Sequence, residues 1–313
     1  MTSIKRGNTL FLKPRTIIEM KVISALVLSA AFLGASVAAS DETSSSTGET
    51  KIGVKRVEKS RWSGDFGVNV VTAYFAFGIL QEDRGAIIEP YINLYHTLYE
   101  GNGFIDKATL GLQLWSSVHS RETGAGPSSR KRSWYEQDYY IPFSLTFAKH
   151  LTLTVSYLEY NSPNGAFKPQ RSLNANAACD DTGWLGAFAL HPHMTALYNF
   201  DGVVGVGRSD AWYFEIGIMP GFTVVKQRSY PVTVNFPLVI GFGDGHFYPG
   251  DAYGFFSAST SISVPLAFIP NSFGAWTGSA AFTYYNLGEA TASLNSEHDH
   301  HAYVGQVGIS FAF

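Results

Sequence analysis

The amino-acid sequence predicts an all-β fold, a membrane-spanning antiparallel up-and-down β-barrel of about twelve strands. Apolar side chains recur at every second position in one run after another from residue 64 onward, which is the period of a strand. Charged residues make up 15% of the 313 residues and aromatic residues another 15%, whereas a soluble domain has about 25% charged residues. A barrel that faces lipid needs few charges and uses aromatic residues and glycine heavily.

The N-terminal segment has the parts of a secretory signal peptide. Four basic residues lie within the first fifteen, residues 22–33 form an apolar run, and small residues follow up to Ala39. This order predicts a signal peptide over 1–39 with cleavage after Ala39, and Met20 is an alternative start. Residues 40–63 are polar and show no period, so we expect a flexible periplasmic linker before a barrel that spans 64–313.

Ten of the predicted strands are at least as long as a tilted strand must be to cross a bilayer, about 9–11 residues, and the pair 183–190 and 194–200 is shorter. In one run, Trp212, Phe214 and Ile216 alternate with Tyr213 and Glu215. The predicted strands span 65–79, 87–99, 105–119, 134–147, 151–160, 183–190, 194–200, 211–223, 231–241, 252–268, 272–286 and 302–313. An alternative interpretation of 183–200 is a short helix or loop followed by one strand, and ten strands in total.

The connections between these runs alternate in length. Those near residues 101, 149, 192 and 271 are short, whereas 121–133, 161–182, 201–210, 242–251 and 288–301 are long. Outer-membrane barrels have short periplasmic turns and longer extracellular loops. With the first strand starting in the periplasm, twelve strands place the short turns inside. The segments 80–86 and 225–230 fit this rule less well.

The last predicted strand alternates apolar and small polar residues. Gln306, Gly308, Phe311 and Phe313 form a pattern that resembles the signal by which the barrel-assembly machinery recognises a terminal strand. Such recognition is physically a strand addition, in which backbone groups supply affinity and alternate aromatic side chains supply specificity. Together with the export signal, this strand predicts the outer membrane of a Gram-negative bacterium as the location.

The first predicted strand resembles a known family of barrels. Residues 68–81 read VNVVTAYFAFGILQ, and they are similar to the opening strand of the TorF-like porins, in which a Tyr precedes an Arg-Gly pair and then a Gln. Tyr74, Gly78 and Gln81 match, and Phe77 stands where the family has Arg. The resemblance covers only this short motif, and it implies a porin.

Placing the apolar faces in lipid leaves the alternate side chains to line the lumen. The predicted lumen-lining residues are Glu89, Asn93, Gln113, Glu136, Asp138, Glu215, Asn235 and Gln306. The strands place no Lys or Arg beside the four carboxylates, and unpaired charges in a dry interior are costly. Either water fills the lumen, or loop residues such as Arg130, Lys131 and Arg132 fold inward.

These features favour a porin-like channel for the passive passage of small polar or cationic solutes. Outer-membrane lipid, lipopolysaccharide, the barrel-assembly machinery and small polar solutes are the expected partners, and a net charge of −3 gives no electrostatic basis for nucleic-acid binding. The alternative is a structural or adhesive barrel with a plugged lumen. An outer-membrane lipid-modifying enzyme is a further alternative, and we expect no cofactor.

Histidines supply the candidates for catalysis or metal binding. His119 and Ser120 fall near the outer end of the third predicted strand, where a hydrolase would need a Ser, a His and an orienting carboxylate or amide together. Residues 297–301 read EHDHH, and imidazole and carboxylate groups suit Zn²⁺ or Cu²⁺. A solvated extracellular loop is the preferred interpretation, so no metal and no catalytic residue is predicted.

Overall fold

The computed structural model describes residues 60–124, 132–202, 208–225, 231–295 and 298–313. The predicted signal peptide and nearly all of the predicted linker lie outside these residues. The strands are β1 Trp62–Val71, β2 Tyr74–Ala76, β3 Ile79–Glu82, β4 Ile87–Glu100, β5 Ile105–His119, β6 Trp134–Phe147, β7 Leu151–Asn161, β8 Gln170–Cys179, β9 His193–Asp201, β10 Ala211–Ile218, β11 Gly221–Val225, β12 Val232–Asn235, β13 Leu238–Gly243, β14 Tyr253–Pro265, β15 Ala275–Leu287 and β16 His301–Ala312.

Fourteen of these strands form one antiparallel sheet that closes on itself. Apart from the β2–β3 hairpin and two proline interruptions, each strand pairs with its neighbours along the chain, and β1 pairs with β16, with Val68 opposite Ile309. Two wall strands are interrupted by proline: Pro220 separates β10 from β11, and Pro237 separates β12 from β13. Proline has no N–H to donate to a ladder, so each pair counts as one wall strand, and the prediction of twelve strands is confirmed.

Two predicted strands are wrong in position. The first predicted strand, 65–79, ends at Val71 in the structure, and residues 74–82 form the separate β2–β3 hairpin. Residues 183–190 are not a strand but a short helix, α1 Thr182–Leu185, followed by a 3₁₀ turn, Gly186–Phe188. The missing wall strand is β8, inside the segment that we predicted as a long loop.

The described helices are short. Besides α1 there is α2, Glu289–Ala292, and a second 3₁₀ turn at Asn271–Phe273. None of the helices in the described residues is long and apolar enough to cross a bilayer. We call the end of the barrel with the connections β1–β4, β5–β6, β7–β8, β9–β10, β13–β14 and β15–β16 the outer end, and the opposite end the inner end.

The barrel exterior is apolar. On β10, Trp212, Phe214 and Ile216 are 43–53% exposed, whereas Tyr213 and Glu215 between them are 2–4% exposed. The core of a bilayer holds no water to bond with backbone N–H and C=O groups. A closed barrel bonds these groups between neighbouring strands all the way round. A closed antiparallel barrel with this exterior is a bacterial outer-membrane protein.

Aromatic side chains form a cluster on the exterior near the inner end. Phe66, Trp276 and Phe311 come from three adjacent strands, with ring centroids 5.0–6.1 Å apart. Phe313 stacks on Phe311 at 6.0 Å. Aromatic rings near one end of the exterior match the aromatic girdle that outer-membrane barrels place at the lipid headgroups.

The buried core lies inside the barrel, in its outer half. It is built by the β2–β3 hairpin, by inward side chains from the outer parts of the wall strands, and by the β13–β14 loop. A twelve-stranded barrel encloses more space than its wall side chains fill, and here the chain fills the outer half with its own first connection.

Candidate functional site

The β2–β3 hairpin lies within the barrel, and its residues 74–77 and Ile79 are at most 6% exposed. Phe75 stacks on Tyr285 of β15 at 5.0 Å, and Phe77 meets Tyr213 of β10 edge-on at 4.7 Å. Aromatic pairs at these distances stabilise packing beyond the area that they bury. The hairpin therefore packs against two separate strands of the barrel wall.

The hairpin turn has a strained backbone. Phe77 has a φ of 50° and Gly78 a φ of 75°, the two positive values of a tight two-residue hairpin turn. Glycine adopts this conformation freely, whereas a bulky side chain such as that of Phe77 rarely does. Strain of this kind persists where the surroundings hold the residue, and it is frequent at functional sites.

Tyrosine hydroxyls connect the hairpin to the wall and the loops. The Tyr74 hydroxyl donates to Glu136 Oε2 of β6 at 2.9 Å, and the Tyr248 hydroxyl donates to the Phe77 carbonyl at 2.6 Å. The Tyr135 hydroxyl donates to Gln81 Oε1 at 2.8 Å. These three hydrogen bonds hold the hairpin at both ends and in its middle.

A chain of hydrogen bonds fixes the last residue of the hairpin, Glu82. Thr123 donates to Glu82, and its hydroxyl also meets His119 Nδ1 at 2.8 Å. His119 Nε2 in turn contacts the Ser117 hydroxyl at 2.8 Å. Ser117 and His119 are fully buried, and Ser120 bonds instead to the backbone N–H of Ala86. The candidate catalytic histidine thus joins strand β5 to the hairpin and faces no open surface.

The predicted inward carboxylates are buried, as placement of the apolar faces in lipid requires. Tyr140 donates to Asp138 at 3.1 Å, and Tyr213 donates to Glu215 at 2.9 Å. Among the described residues, no Lys or Arg forms an ion pair with Glu89, Asp138 or Glu215. The inward folding of loop cations is not seen for Arg132, which pairs with Glu122 at 2.6 Å; Arg130 and Lys131 lie outside the described residues.

A cavity of about 250 Å³ lies on the inner side of the hairpin, and we call it the inner cavity. Toward the hairpin it is lined by aromatic rings, those of Phe77, Trp115, Tyr140, Tyr160 and Tyr213. Its remaining polar lining consists of Asn93, Tyr95, Gln113, Ser144, Thr152, Thr154, Ser156, Asn174, Asn176, Thr195 and the carboxylate Glu215. The cavity therefore combines an aromatic end with neutral hydrogen-bonding walls and one acid.

The structure brings only some of the predicted lumen-lining residues together. Asn93, Gln113 and Glu215 line the inner cavity, whereas Glu136 and Asp138 lie outside its lining, beside Tyr74 and Tyr140. The remaining predicted residues lie apart, in β4, β12 and β16. They are Glu89, 8% exposed, Asn235, which donates to Ser261 at 3.5 Å, and Gln306, opposite Ala281 in the ladder.

Sequence reasoning missed the residues that most shape this interior. The tyrosine donors stand two positions from their carboxylates, as in Asp138–Tyr140 and Tyr213–Glu215, and this spacing on one face of a strand was the available signal. Asn174 and Asn176 belong to the strand that we failed to predict. Nothing in the residue types alone indicates that the segment carrying Tyr74 turns back into the barrel.

The histidine-rich segment near residue 300 has structural contacts. His300 Nδ1 donates to the Leu287 carbonyl at 2.9 Å, and His301 Nδ1 contacts the Tyr284 hydroxyl at 2.8 Å. Glu297 lies outside the described residues. Over the ranges that the structure describes, no group of three or more His, Cys, Asp or Glu side chains has a metal-binding arrangement.

No protein-family model matches the sequence, so membership of the TorF-like family is not shown, and no characterised protein matches it in sequence. In structure, the chain is similar to the NanC porin, at 8% identity over 79% of this chain and 98% of that one, with a TM-score of 0.41. It is also similar to an outer membrane channel from Pseudomonas putida F1, at 10% identity over 85% of this chain and 100% of that one, with a TM-score of 0.47. The KdgM porin is similar at 8% identity over 80% of this chain and 99% of that one, with a TM-score of 0.41. Likeness at this level concerns the fold alone.

Proposed function

We propose that this chain is a gated, porin-like channel of the outer membrane for small polar or cationic solutes. The observation that supports the proposal is the division of the lumen into a polar inner cavity and an outer half filled by the β2–β3 hairpin. The hairpin is the gate, and its displacement connects the inner cavity to the outside.

The pairing of the hairpin supports a gating role. β2 and β3 pair with each other and form a sheet of their own, separate from the barrel sheet. Moving the hairpin therefore breaks side-chain contacts and a few hydrogen bonds, but no backbone ladder of the wall. Lids and gates of this kind are local elements that exchange on a timescale of microseconds to milliseconds.

The charges inside the barrel support a preference for cations. Glu89, Glu136, Asp138 and Glu215 are buried carboxylates, and no Lys, Arg or His lines the inner cavity among the described residues. Of these four carboxylates Glu215 lines the inner cavity, and an acidic group without a basic neighbour favours cations over anions. Neutral polar solutes are compatible with the amides and hydroxyls of the walls.

A solute-flux experiment tests the proposal. Liposomes that contain the refolded full-length protein are given small neutral, cationic and anionic solutes of similar size, and swelling is recorded. We expect entry of the neutral and cationic solutes and slower entry of the anionic ones. Folded protein that admits no solute would contradict a channel, and preferred entry of anions would contradict the cation preference.

One observation favours a second candidate, a structural or adhesive barrel. The hairpin is as buried as an ordinary protein core, which is what a permanent plug requires. Flux experiments separate the two candidates, because a permanent plug passes nothing. An enzyme is not favoured, because Ser117 and His119 are both fully buried.

We also propose that strand β16 carries the assembly signal through Gln306, Gly308, Phe311 and Phe313, and that the exterior contacts lipopolysaccharide. Phe313 exchanges two backbone hydrogen bonds with Gly64 of β1 at 2.9–3.0 Å, so the last residues form part of the seam that closes the barrel. Replacing both phenylalanines by alanine is expected to slow assembly in cells. Unchanged assembly would contradict the signal.

A further inference from the structure

We infer that the inner cavity is a binding site for a small ammonium compound that carries a hydroxyl group. The inference rests on the proposed channel function, because the channel is the route by which the solute arrives. The chemistry of the solute is inferred from the lining of the cavity. The site juxtaposes the Glu215 carboxylate, aromatic rings and amide or hydroxyl groups around one cavity.

The acid and the rings select a cation. Glu215 is 4% exposed, and its one hydrogen bond in the described structure comes from the Tyr213 hydroxyl. Phe77, Trp115 and Tyr160 line the same end of the cavity. Aromatic faces and a carboxylate are the groups that proteins use to hold an organic ammonium ion, because both attract positive charge and neither requires the ion to keep a full hydration shell.

Buried polar groups that bond to no protein partner select a hydroxyl. Trp115 Nε1 and the Tyr160 hydroxyl are donors, and Asn174 Oδ1 is an acceptor. All three residues line the inner cavity. A buried donor or acceptor without a partner is costly. These atoms are covered while the hairpin is in place, so a ligand hydroxyl that reaches them when the hairpin moves would remove that cost.

The size of the cavity fits a small organic solute. Its volume is about 250 Å³, and a water molecule accounts for about 30 Å³ of liquid. A molecule such as choline, with several bridging waters, fits within that space. The hairpin residue Phe77 lines the site, so a bound solute contacts the gate directly.

Equilibrium binding to the folded full-length protein in detergent tests the inference. Choline is titrated by calorimetry and compared with 3,3-dimethyl-1-butanol, its uncharged isostere. We expect saturable binding of choline, and binding of the isostere weaker by roughly tenfold or more, because the charge-assisted contact is lost. Equal binding of the two, or binding of neither, would overturn the inference.

A matched pair of variants locates the site. Glu215→Gln is expected to weaken choline binding by roughly tenfold, whereas Glu159→Gln changes a strand carboxylate that pairs with Arg171 outside the cavity and is expected to leave binding unchanged. Choline binding that Glu215→Gln does not alter would place the site elsewhere. If Glu215→Gln does not fold, the comparison of choline with its isostere on the wild-type protein decides alone.

This test is separate from that of the channel. Solute flux without choline binding refutes the binding site and leaves the channel standing. Choline binding to a protein that passes no solute supports the binding site and refutes the channel.

Discussion

At the scale of single residues, strand period predicts which side chains face inward but not what they contact. Glu136, Asp138 and Glu215 were placed inward from alternation alone, and all three are buried. Their tyrosine partners were not predicted. Tyr140 and Tyr213 stand two positions from Asp138 and Glu215, but Tyr74 reaches Glu136 from a segment sixty-two positions away along the chain. A contact of that range depends on the path of a loop, which residue types do not specify.

Gly78 is a residue at which the hairpin is sensitive to substitution. Its φ is 75°, and an added Cβ would lie 2.7 Å from the Phe255 ring. We expect Gly78→Ala to destabilise the packed hairpin by about 1–2 kcal/mol while leaving the barrel folded, and to increase the open fraction of single channels. Gly103, whose added Cβ meets nothing within 4 Å, is the matched control, and Gly103→Ala should behave as wild type. Equal open fractions for both variants would contradict the assignment of the hairpin as gate.

Asp181 makes the connection between β8 and β9 sensitive to acid. Burial raises the pKa of this carboxyl, but hydrogen bonds from the backbone N–H groups of His191 and Leu190 outweigh that effect and hold the pKa below its ordinary value. A depressed pKa stabilises the fold above the unfolded value of about 4 and ceases to do so as the pH falls through the folded value. We therefore expect amide-exchange protection of Leu190 and His191 to be retained from pH 7 to 5 and lost only below about pH 4.

The variant Asp181→Asn supplies the control for this pH dependence. An amide accepts the same backbone hydrogen bonds more weakly and does not titrate, so protection should be lower at pH 7 and should not change with pH through the carboxyl range. A wild-type protein whose protection already declines between pH 6 and 5 would contradict the lowered pKa.

At the scale of elements, ten of twelve wall strands were predicted near their positions and β1 was predicted too long. The one wall strand that was missed, β8, was missed for a physical reason. Strand β8 presents Asn174 and Asn176 to the interior and alanines to the lipid, so its hydrophobic alternation is weak. The segment 183–190 is apolar because Trp184 and Phe188, 66% and 80% exposed, lie on the inner-end connection, where aromatic side chains suit a membrane interface. Hydrophobicity alone does not separate an interfacial segment from a strand.

Spin labels test the position of β8. In a Cys179→Ser background, labels at Leu173 and Ala175 should be accessible to oxygen dissolved in lipid, whereas labels at Asn174 and Asn176 should not, because neighbouring residues of a strand face opposite sides. Across 183–190 we expect no such alternation. Period-two accessibility in 183–190, or its absence in 173–176, would contradict the strand order of the barrel.

At the scale of the whole molecule, the barrel and its location follow from composition and alternation, whereas the state of the lumen does not. Twelve strands define a cylinder with spare interior volume. Whether water, a loop or a hairpin occupies it depends on contacts such as that of Phe77 with Tyr213, which form only after closure. The sequence is compatible with an open and with a plugged lumen, and the structure has a filled outer half beside a polar inner cavity.

Single-channel recording on two proteins tests this account most directly. One is the wild type, and the other has residues 74–82 replaced by a Gly-Ser segment of equal length, with barrel formation checked by heat-modifiable electrophoretic mobility. Because the hairpin lies outside the wall ladder, we predict that the variant folds, stays open and conducts cations in preference to anions, whereas the wild type shows a lower open fraction. A correctly folded variant that is as closed as the wild type would contradict the assignment of the hairpin as the gate of a channel.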